Sequence, residues 1–172
     1  MFATMEGAEF GRMALPPLSP SQRRQQGNRL LATLSSRLTG IIIFPSAFSR
    51  EPNGRPVCDT HDIHVSLSHS GQWLCGIAAL SPCGVDIEQV KPQRDWQSIW
   101  QAVRCDKEPL HLNTPEEFYH YWTQKEALWK AYRQPKRTLS QTDTHDCHLY
   151  SFVPLPHLQP NGFIMTACIK EE

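Results

Sequence analysis

Gly84-Val85-Asp86-Ile87-Glu88 is the stretch of sequence that decides the fold. Its alternation of apolar and acidic residues predicts a β-strand, because successive side chains of a strand point to opposite faces. Val85 and Ile87 would then face a core, while Asp86 and Glu88 would share the other face. Two carboxylates on one face can hold a divalent cation. The segment alone also fits an edge strand with two surface acids, so a second segment is needed to decide between these interpretations.

Residues 122–130, which read Trp-Thr-Gln-Lys-Glu-Ala-Leu-Trp-Lys, form that second segment and predict a helix. Lys125 falls within the aromatic stripe of the helix, so we expect its ammonium to snorkel out of the core towards a ligand anion or a protein carboxylate. Glu126 and Lys130 also fit a simple i,i+4 pair, which is the alternative interpretation. Three acids and two lysines together suit a divalent cation bound to a polyphosphate, as in phosphoryl-type transfer.

The composition of the chain is that of an ordinary globular protein. It has 172 residues, 40% of them hydrophobic and 20% charged, and a formal net charge of zero. This length predicts one domain, or two small lobes that share a core. Because the net charge is zero, no global field attracts the chain to nucleic acid or to a membrane.

Residues 22–37 are the local exception to that balance, because they are basic and contain no acid. Their arginines are Arg23, Arg24, Arg29 and Arg37. We therefore expect this stretch to dock an acidic partner.

The cysteines indicate a reducing compartment. The chain has 6 cysteines, with no Cys-x-x-Cys pair and no spacing of a disulfide framework. We therefore expect free thiols and a cytoplasmic protein with no signal peptide. A zinc site formed by Cys58, His61, His64 and His69 is an alternative, although their spacing fits no standard pattern.

The apolar periodicity and the turn residues predict the order of the elements. Residues 1–20 are weakly patterned, and a helix follows from Pro20 to about Leu38. The elements predicted after it are a short buried strand at 41–44, a loop at 45–62, a hairpin of 64–68 with 73–80, the acidic strand, a short helix at 95–103, a helix that starts at Thr114, and final strands at about 146–153 and 162–169.

Ser68-His69-Ser70-Gly71 lies at the turn of the predicted hairpin. Polar residues are common in turns, so turn chemistry alone can explain the segment. A histidine beside backbone amides can also bind a phosphate, which is the functional interpretation.

Four motifs in this order resemble those of the 4′-phosphopantetheinyl transferases, of the two-lobed type that activates surfactin synthetase. The motifs are Gly54-Arg55-Pro56, Ser66-Leu67-Ser68-His69-Ser70, the acidic strand 84–88 and the helix segment 122–130. The chain differs from the family in a shorter N-terminal lobe, in the loosely matching segment 105–108, and in residues 132–135, where the family often has a glycine-rich turn.

The resemblance implies a fold and a reaction. The fold would be α+β, with two pseudo-symmetric lobes, each a small antiparallel sheet packed by a helix, and with the active site in the cleft between them. The lobes would be residues 1–82 and 83–172, the second carrying the metal-binding signatures. The 4′-phosphopantetheine arm of coenzyme A would pass to a serine of an acyl or peptidyl carrier protein, with release of adenosine 3′,5′-bisphosphate.

The resemblance also implies a role for each motif residue. Asp86, Glu88 and Glu126 would hold Mg²⁺, with Mn²⁺ as an alternative, and Glu126 would also take the serine proton, directly or through a water. Lys125 and Lys130 would act in catalysis and bind coenzyme A by neutralising its pyrophosphate. The other contacts to coenzyme A would come from Arg23, Arg55, Ser68 and His69, the last two at the 3′-phosphate.

Two other functions remain open at this point. One is a different Mg²⁺-dependent enzyme that acts on a nucleotide pyrophosphate without a protein acceptor. The other is a non-catalytic module that binds coenzyme A or a carrier protein. We expect a cytoplasmic monomer that binds neither nucleic acid nor a membrane.

Overall fold

The computed structural model describes residues 1–134, 136–145 and 147–171. Its strands are β1 (Phe2–Met5), β2 (Ala8–Ala14), β3 (Phe48–Arg50), β4 (Pro56–Cys58), β5 (His64–Ser70), β6 (Trp73–Ala79), β7 (Cys83–Gln89), β8 (Tyr150–Pro154) and β9 (Phe163–Lys170). Its helices are α1 (Pro20–Thr39), α2 (Trp96–Val103) and α3 (Pro115–Tyr132). Over the described ranges, no helix is both long enough and apolar enough to cross a membrane.

The first sheet has the strand order β1-β2-β6-β5, and all neighbouring strands are antiparallel. α1 packs on this sheet through leucines at helical spacing. Leu30, Leu31 and Leu34 are buried in one cluster with Val65 of β5 and Ala78 of β6. The predicted amphipathic helix and the predicted hairpin are therefore confirmed.

The ends of α1 are fixed by the residues that predicted them. Ser19 accepts a hydrogen bond from the backbone N–H of Gln22, whose side chain accepts one from the N–H of Ser19 at 2.9 Å. Pro20 occupies the first turn, where a missing N–H costs nothing. Gly40 ends the helix with φ at 74°, a left-handed conformation that suits glycine.

The second sheet has the order β7-β9-β8, again antiparallel, and α3 packs on it. α3 starts as predicted, with Thr114 accepting a hydrogen bond from the N–H of Glu117 at 3.1 Å. The helix approaches β7 very closely, because a Cβ added to Gly84 would lie 1.9 Å from the carbonyl oxygen of Ala127. Gly84 thus lets the acidic strand and the helix with the Lys-Glu pair come together.

One apolar core joins the two sheets. Phe10 and Ile77 of the first sheet are buried in the same cluster as Val85, Ile87 and Leu158. The prediction that Val85 and Ile87 face a core is confirmed, since both are fully buried. The predicted α+β class, with two small antiparallel sheets and a helix on each, is confirmed as well.

Residues 1–20 are more ordered than the sequence predicted. β1 and β2 form a hairpin that adds two strands to the first sheet, with Gly7 at φ 70° in the turn. Ala8 and Phe10 are the buried apolar residues of β2. Two apolar residues interleaved with Glu9 and Gly11 are too few to predict a strand from the sequence.

The prediction of a buried strand at 41–44 is wrong. Ile42 is 79% exposed and Phe44 is 66% exposed, whereas Ile43 is buried. The N–H of Ile43 donates to the Ser36 hydroxyl at 2.8 Å, so α1 holds this segment through a side chain and not through a strand ladder.

Two other boundaries differ from the prediction. The expected loop at 45–62 contains the short hairpin of β3 and β4. β8 begins at Tyr150, later than the expected 146, a residue that lies outside the described ones. α2 matches its predicted range, with the Asp95 side chain accepting from the N–H of Ser98.

Candidate active site

A cavity of about 810 Å³ lies where α1, the β3–β4 turn, β5 and the end of α3 meet. Most of its charged lining is cationic. The cationic and imidazole side chains among the described lining residues are Arg23, Arg24, Arg50, Arg55, His69 and Lys130, and the acid among them is Glu51. Such a cavity suits a ligand that carries several negative charges.

Asp86 of β7 is buried beside this cavity, with 4% of its surface exposed. Its Oδ1 atom accepts hydrogen bonds from the Ser68 hydroxyl at 2.6 Å and from the Lys130 ammonium at 2.7 Å. Its Oδ2 atom is buried and has no hydrogen-bond partner. A buried carboxylate oxygen without a donor is energetically costly, which indicates that a ligand completes it.

Glu88 and Glu126 lie close enough to Asp86 for their charges to interact. Burial, and then the negative charge of Asp86, raise the pKa of Glu88. Burial raises the pKa of Glu126 as well, and the charges of Asp86 and Glu88 add to that effect, against the influence of Lys130. Three mutually repelling carboxylates, one with an unpartnered oxygen, fit a hard divalent cation. The three carboxylates therefore influence one another's charge, although their oxygens are not all within 4.8 Å of one another, and their role as metal ligands stays a prediction.

Lys130 is the lysine that reaches the cavity. Its ammonium donates to Asp86 at 2.7 Å and to the carbonyl of Val85 at 3.1 Å. Burial alone would lower the pKa of Lys130, but the nearby Asp86 and Glu126 raise it above its ordinary value. The lysine is therefore a fixed positive charge on the cavity wall.

Lys125 meets a protein carboxylate, which is one of the two partners expected for it, but its ammonium does not snorkel out of the core. Its side chain is fully buried and its ammonium contacts Glu108 at 2.7 Å and 2.9 Å and the carbonyl of Thr142 at 2.6 Å. Lys125 is absent from the described cavity lining, as are Asp86, Glu88 and Glu126, but Asp86 contacts the lining residues Ser68 and Lys130. Because a protein carboxylate already neutralises it, the structure does not bring Lys125 to the position where the predicted pyrophosphate contact would be made.

Glu108 remains charged despite its burial. Burial on its own would raise the pKa of Glu108, but hydrogen bonds from Lys125 and from the backbone N–H groups of Cys105 and Thr144 hold it below the usual range. The pair thus ties the segments around 105 and 144 to α3, next to Glu126. Sequence analysis noted residues 105–108 only as a loose match and missed this role.

The donor atoms of Glu108, Asp143 and His145 lie within 4.8 Å of one another, and no other such group of three was found in the described ranges. The Glu108 oxygens are already occupied: Oε1 accepts from Lys125 and Thr144, and Oε2 from Lys125 and Cys105. This carboxylate has little capacity left for a cation, unlike Asp86 with its unpartnered oxygen. The zinc alternative for the segment 58–69 gains no support, and the six cysteines, all within the described ranges, form no disulfide.

The predicted phosphate-binding residues line the cavity. The Arg23 guanidinium and the His69 ring approach each other at 3.4 Å. Arg55 has a buried Nη2 atom without a hydrogen-bond partner, and burial followed by the charge of Arg133 lowers its pKa. The Nη2 atom of Arg55 is therefore a donor available to an anionic ligand, whereas His69 accepts from Arg23.

Arg24 and Arg50 also line the cavity, and sequence analysis did not assign them to it. Burial and then the charge of Arg24 lower the pKa of Arg50, so the two guanidinium groups are close. Arg50 is a single arginine before a turn and forms no sequence pattern. Only the fold, which places it opposite α1, shows that it lines the cavity.

The basic stretch 22–37 does not form one uniform face. Arg23 and Arg24 line the cavity, whereas Arg37 pairs with Glu9 at 2.8 Å. Arg29 is exposed. The predicted docking of an acidic partner on this stretch therefore stays a prediction that rests on fewer free charges.

Comparison with known proteins finds the same family that the motifs resemble. Residues 82–161 match the model of the 4′-phosphopantetheinyl transferase superfamily, a range that contains Asp86, Glu88 and Glu126. The 4′-phosphopantetheinyl transferase psf-1 of Bacillus pumilus is 31% identical over 119 residues, which cover 66% of this chain and 51% of the relative. The chain is similar to the 4′-phosphopantetheinyl transferase superfamily over this range. The matched residues contain two of the four motifs, the acidic strand 84–88 and the helix segment 122–130.

Two further relatives of the superfamily match a similar share of the chain. The 4′-phosphopantetheinyl transferase Sfp of Bacillus subtilis is 29% identical over 115 residues, covering 64% of this chain and 51% of the relative. The 4′-phosphopantetheinyl transferase HetI of Nostoc is 28% identical over 125 residues, covering 65% of this chain and 53% of the relative. The chain spans about half the length of these curated relatives.

Proposed function

We propose that this protein transfers 4′-phosphopantetheine from coenzyme A to a serine of an acyl or peptidyl carrier protein. The serine oxygen bonds to the β-phosphorus, the bond from that phosphorus to the bridging oxygen breaks, and adenosine 3′,5′-bisphosphate leaves with the electron pair. The observation that carries the proposal is the unpartnered Oδ2 of buried Asp86, whose other oxygen contacts Ser68 and Lys130 of the cationic cavity and whose charge interacts with two further carboxylates. The names of the matched relatives support the same reaction class.

Asp86, Glu88 and Glu126 would hold Mg²⁺, with Mn²⁺ as an alternative that prefers the same oxygen ligands. When bound, the cation would offset the negative charge of the pyrophosphate. Lys130, held by Asp86 at 2.7 Å, supplies a second positive charge that needs no rearrangement when charge moves to the leaving group. Glu126 takes the serine proton, directly or through a water.

The nucleotide end of coenzyme A binds at the opposite, arginine-lined side of the cavity. His69 and Arg23 contact the 3′-phosphate, and Arg55 contacts another phosphate oxygen through its unpartnered Nη2. Lys125 acts differently from the other lysine in this proposal. Paired with Glu108, it holds the helix turn that presents Glu126.

The test is incubation with coenzyme A, Mg²⁺ and candidate apo-carrier proteins, followed by intact mass of the carrier and assay of adenosine 3′,5′-bisphosphate. A carrier-dependent gain of one phosphopantetheine with equal release of the nucleotide supports the proposal. Release of the nucleotide without a carrier would instead indicate an enzyme of nucleotide pyrophosphates. Binding of coenzyme A without turnover on any carrier would indicate a binding module. We propose that the protein acts as a cytoplasmic monomer, which size measurement and fractionation would test.

Asp86→Ala and Glu126→Ala should each reduce transfer by at least about 100-fold, because each removes a hard oxygen ligand from the cation. The measurement is the initial rate at saturating Mg²⁺, together with thermal unfolding to check the fold. Glu6→Ala, a change of an exposed carboxylate in the β1–β2 turn, is the control and should keep the wild-type rate. Wild-type turnover of either site variant would remove that residue from the site.

A further inference from the structure

The strands β5 and β7 are both edge strands, and they belong to different sheets. β5 ends the first sheet and β7 ends the second, so the two edges that face each other are not joined by a backbone ladder. Ser66, Ser68 and Ser70 alternate along β5 and therefore share one of its faces. All three hydroxyls make hydrogen bonds to β7, which makes them bridges between the sheets.

The three serine hydroxyls differ in the group of β7 to which they are hydrogen-bonded. Ser66 accepts a hydrogen bond from the backbone N–H of Val85 at 3.3 Å. Ser68 donates to the Asp86 carboxylate at 2.6 Å, and Ser70 donates to Oε2 of Glu88 at 3.0 Å. Two of the three serines therefore contact carboxylates of the metal site, and one contacts only the backbone.

The direction of these hydrogen bonds follows from the partners. Ser70 accepts from the N–H of Gln89 at 3.0 Å, so a lone pair is used and its proton is left for Glu88. A serine hydroxyl has one proton to donate. Because Ser68 donates that proton to Asp86, it cannot donate it to a phosphate of coenzyme A at the same time.

We propose that Ser68 and Ser70 are positioning residues of the metal site, rather than phosphate-binding residues. Each hydroxyl fixes one oxygen of its carboxylate, Oδ1 of Asp86 and Oε2 of Glu88, and so turns the other oxygen towards the cation. The cation site is thus assembled across the boundary of the two sheets, with ligands from one and their orientation from the other. This inference rests on the metal site of the proposed function.

The test measures the binding of Mn²⁺ directly by electron paramagnetic resonance. The samples contain adenosine 3′,5′-bisphosphate and no carrier protein. Ser70→Ala should raise the dissociation constant for Mn²⁺ about 10-fold or more, as loss of a group that orients a metal ligand does. Ser70→Thr keeps the hydroxyl and should restore the affinity. Ser70→Cys preserves the size of the side chain but is a weak donor, so it should fold and still bind Mn²⁺ less tightly.

Ser66→Ala is the matched control, because it removes a bridge of the same strand that touches no carboxylate. It should lower thermal stability and leave the dissociation constant for Mn²⁺ unchanged. Equal losses of Mn²⁺ affinity in Ser66→Ala and Ser70→Ala would overturn the proposal, since contact between the sheets would then explain both. Wild-type Mn²⁺ affinity in Ser70→Ala would overturn it too.

Two further comparisons separate this inference from the proposed function. If Asp86→Ala loses Mn²⁺ and Ser70→Ala does not, the metal site stands and the positioning role fails. If neither variant loses Mn²⁺, the proposed metal site itself is wrong. Ser68→Ala should weaken Mn²⁺ binding, whereas a selective loss of coenzyme A relative to 3′-dephospho-coenzyme A would assign Ser68 to the phosphate.

Discussion

Lys125 and Lys130 show how two lysines on one helix can have separate roles. Lys125 is fully buried against Glu108, while Lys130 contacts Asp86 at the cavity wall. A buried ammonium needs a partner because its desolvation is costly, and each lysine has one carboxylate. The first pair is internal to the protein, and the second leaves an oxygen of Asp86 open to a ligand.

Glu108→Gln should lower the free energy of unfolding by about 3–5 kcal/mol, because it leaves the buried Lys125 ammonium without an anion. Urea denaturation measures the change. Glu116→Gln, at an exposed carboxylate of α3, the helix that carries Lys125, should cost less than about 1 kcal/mol. A similar small loss in Glu108→Gln would show that the pair does not stabilise the fold.

The same pair predicts an acid-sensitive fold. The folded-state pKa of Glu108 is lowered, so its stabilisation is fully present above the ordinary glutamate pKa and is lost as the pH falls through the lowered value. The unfolding free energy of the wild type should therefore fall more steeply on acidification than that of Glu108→Gln.

His69→Ala should weaken binding of coenzyme A by about 1.5–3 kcal/mol, the range of a hydrogen bond to a charged group. Binding of 3′-dephospho-coenzyme A should change much less, because the proposed contact is to the 3′-phosphate. Calorimetry with both ligands measures the difference, and His157→Ala in an exposed loop serves as the control. Equal losses of binding free energy for the two ligands would show that His69 makes no specific contact with the 3′-phosphate.

The contact between β7 and α3 sets how closely Glu126 of the helix can approach Asp86 and Glu88 of the strand. Asp86 and Glu88 come from the strand and Glu126 comes from the helix. Gly84 sits at the point of closest approach, where there is no room for a Cβ.

Gly84→Ala should destabilise the protein by about 3 kcal/mol or more, since the added carbon would meet backbone atoms of α3 that cannot move aside. Transfer activity should fall with it, because the helix would shift relative to the strand. Gly162→Ala is the control: its φ is 74° but nothing lies within 4 Å of the added carbon, so only the strain of about 1–2 kcal/mol is expected. Thermal unfolding of both variants measures the difference, and equal shifts would contradict the close approach.

Elements with strong local signals could be predicted from the sequence. α1 and α3 have their capping residues and proline at the start, and Gly40 ends α1. β1 and β2 could not, because their apolar residues are few and β2 is buried only through pairing with β6. The run at 41–44 misled the prediction because hydrophobicity was equated with burial, although three of its four side chains are exposed.

The whole molecule places the site where its two sheets meet. The arginines come from the first half of the chain, the carboxylates from the second, and one core lies beneath both. The three carboxylates were named from motifs that resemble those of a known family, and their role as metal ligands stays a prediction. The cavity positions of Arg24 and Arg50, and the pairing of Lys125 with Glu108, could not be predicted. They depend on which distant segments of the chain fold against each other.

Mg²⁺ should raise the thermal stability of the wild-type protein, because three repelling carboxylates gain a common counter-ion. At about 100 times the dissociation constant the gain should be about 2.7 kcal/mol. Asp86→Ala should show little or no gain, and chelation should reverse the shift in the wild type. Sodium chloride at equal ionic strength controls for screening. An identical shift in Asp86→Ala would place the ion elsewhere.

The strand order of the second sheet makes the proposed site depend on a strand that follows every proposed ligand in the chain. β7 pairs with β9, which spans Phe163–Lys170, and not with the strand that precedes β9 in the chain. During synthesis, the strand that bears Asp86 and Glu88 therefore lacks its ladder partner until β9 has left the ribosome. A nascent chain that already contains every proposed ligand would still hold Asp86 and Glu88 on a strand without its ladder partner. The proposed cation site would therefore form only after β9 has emerged.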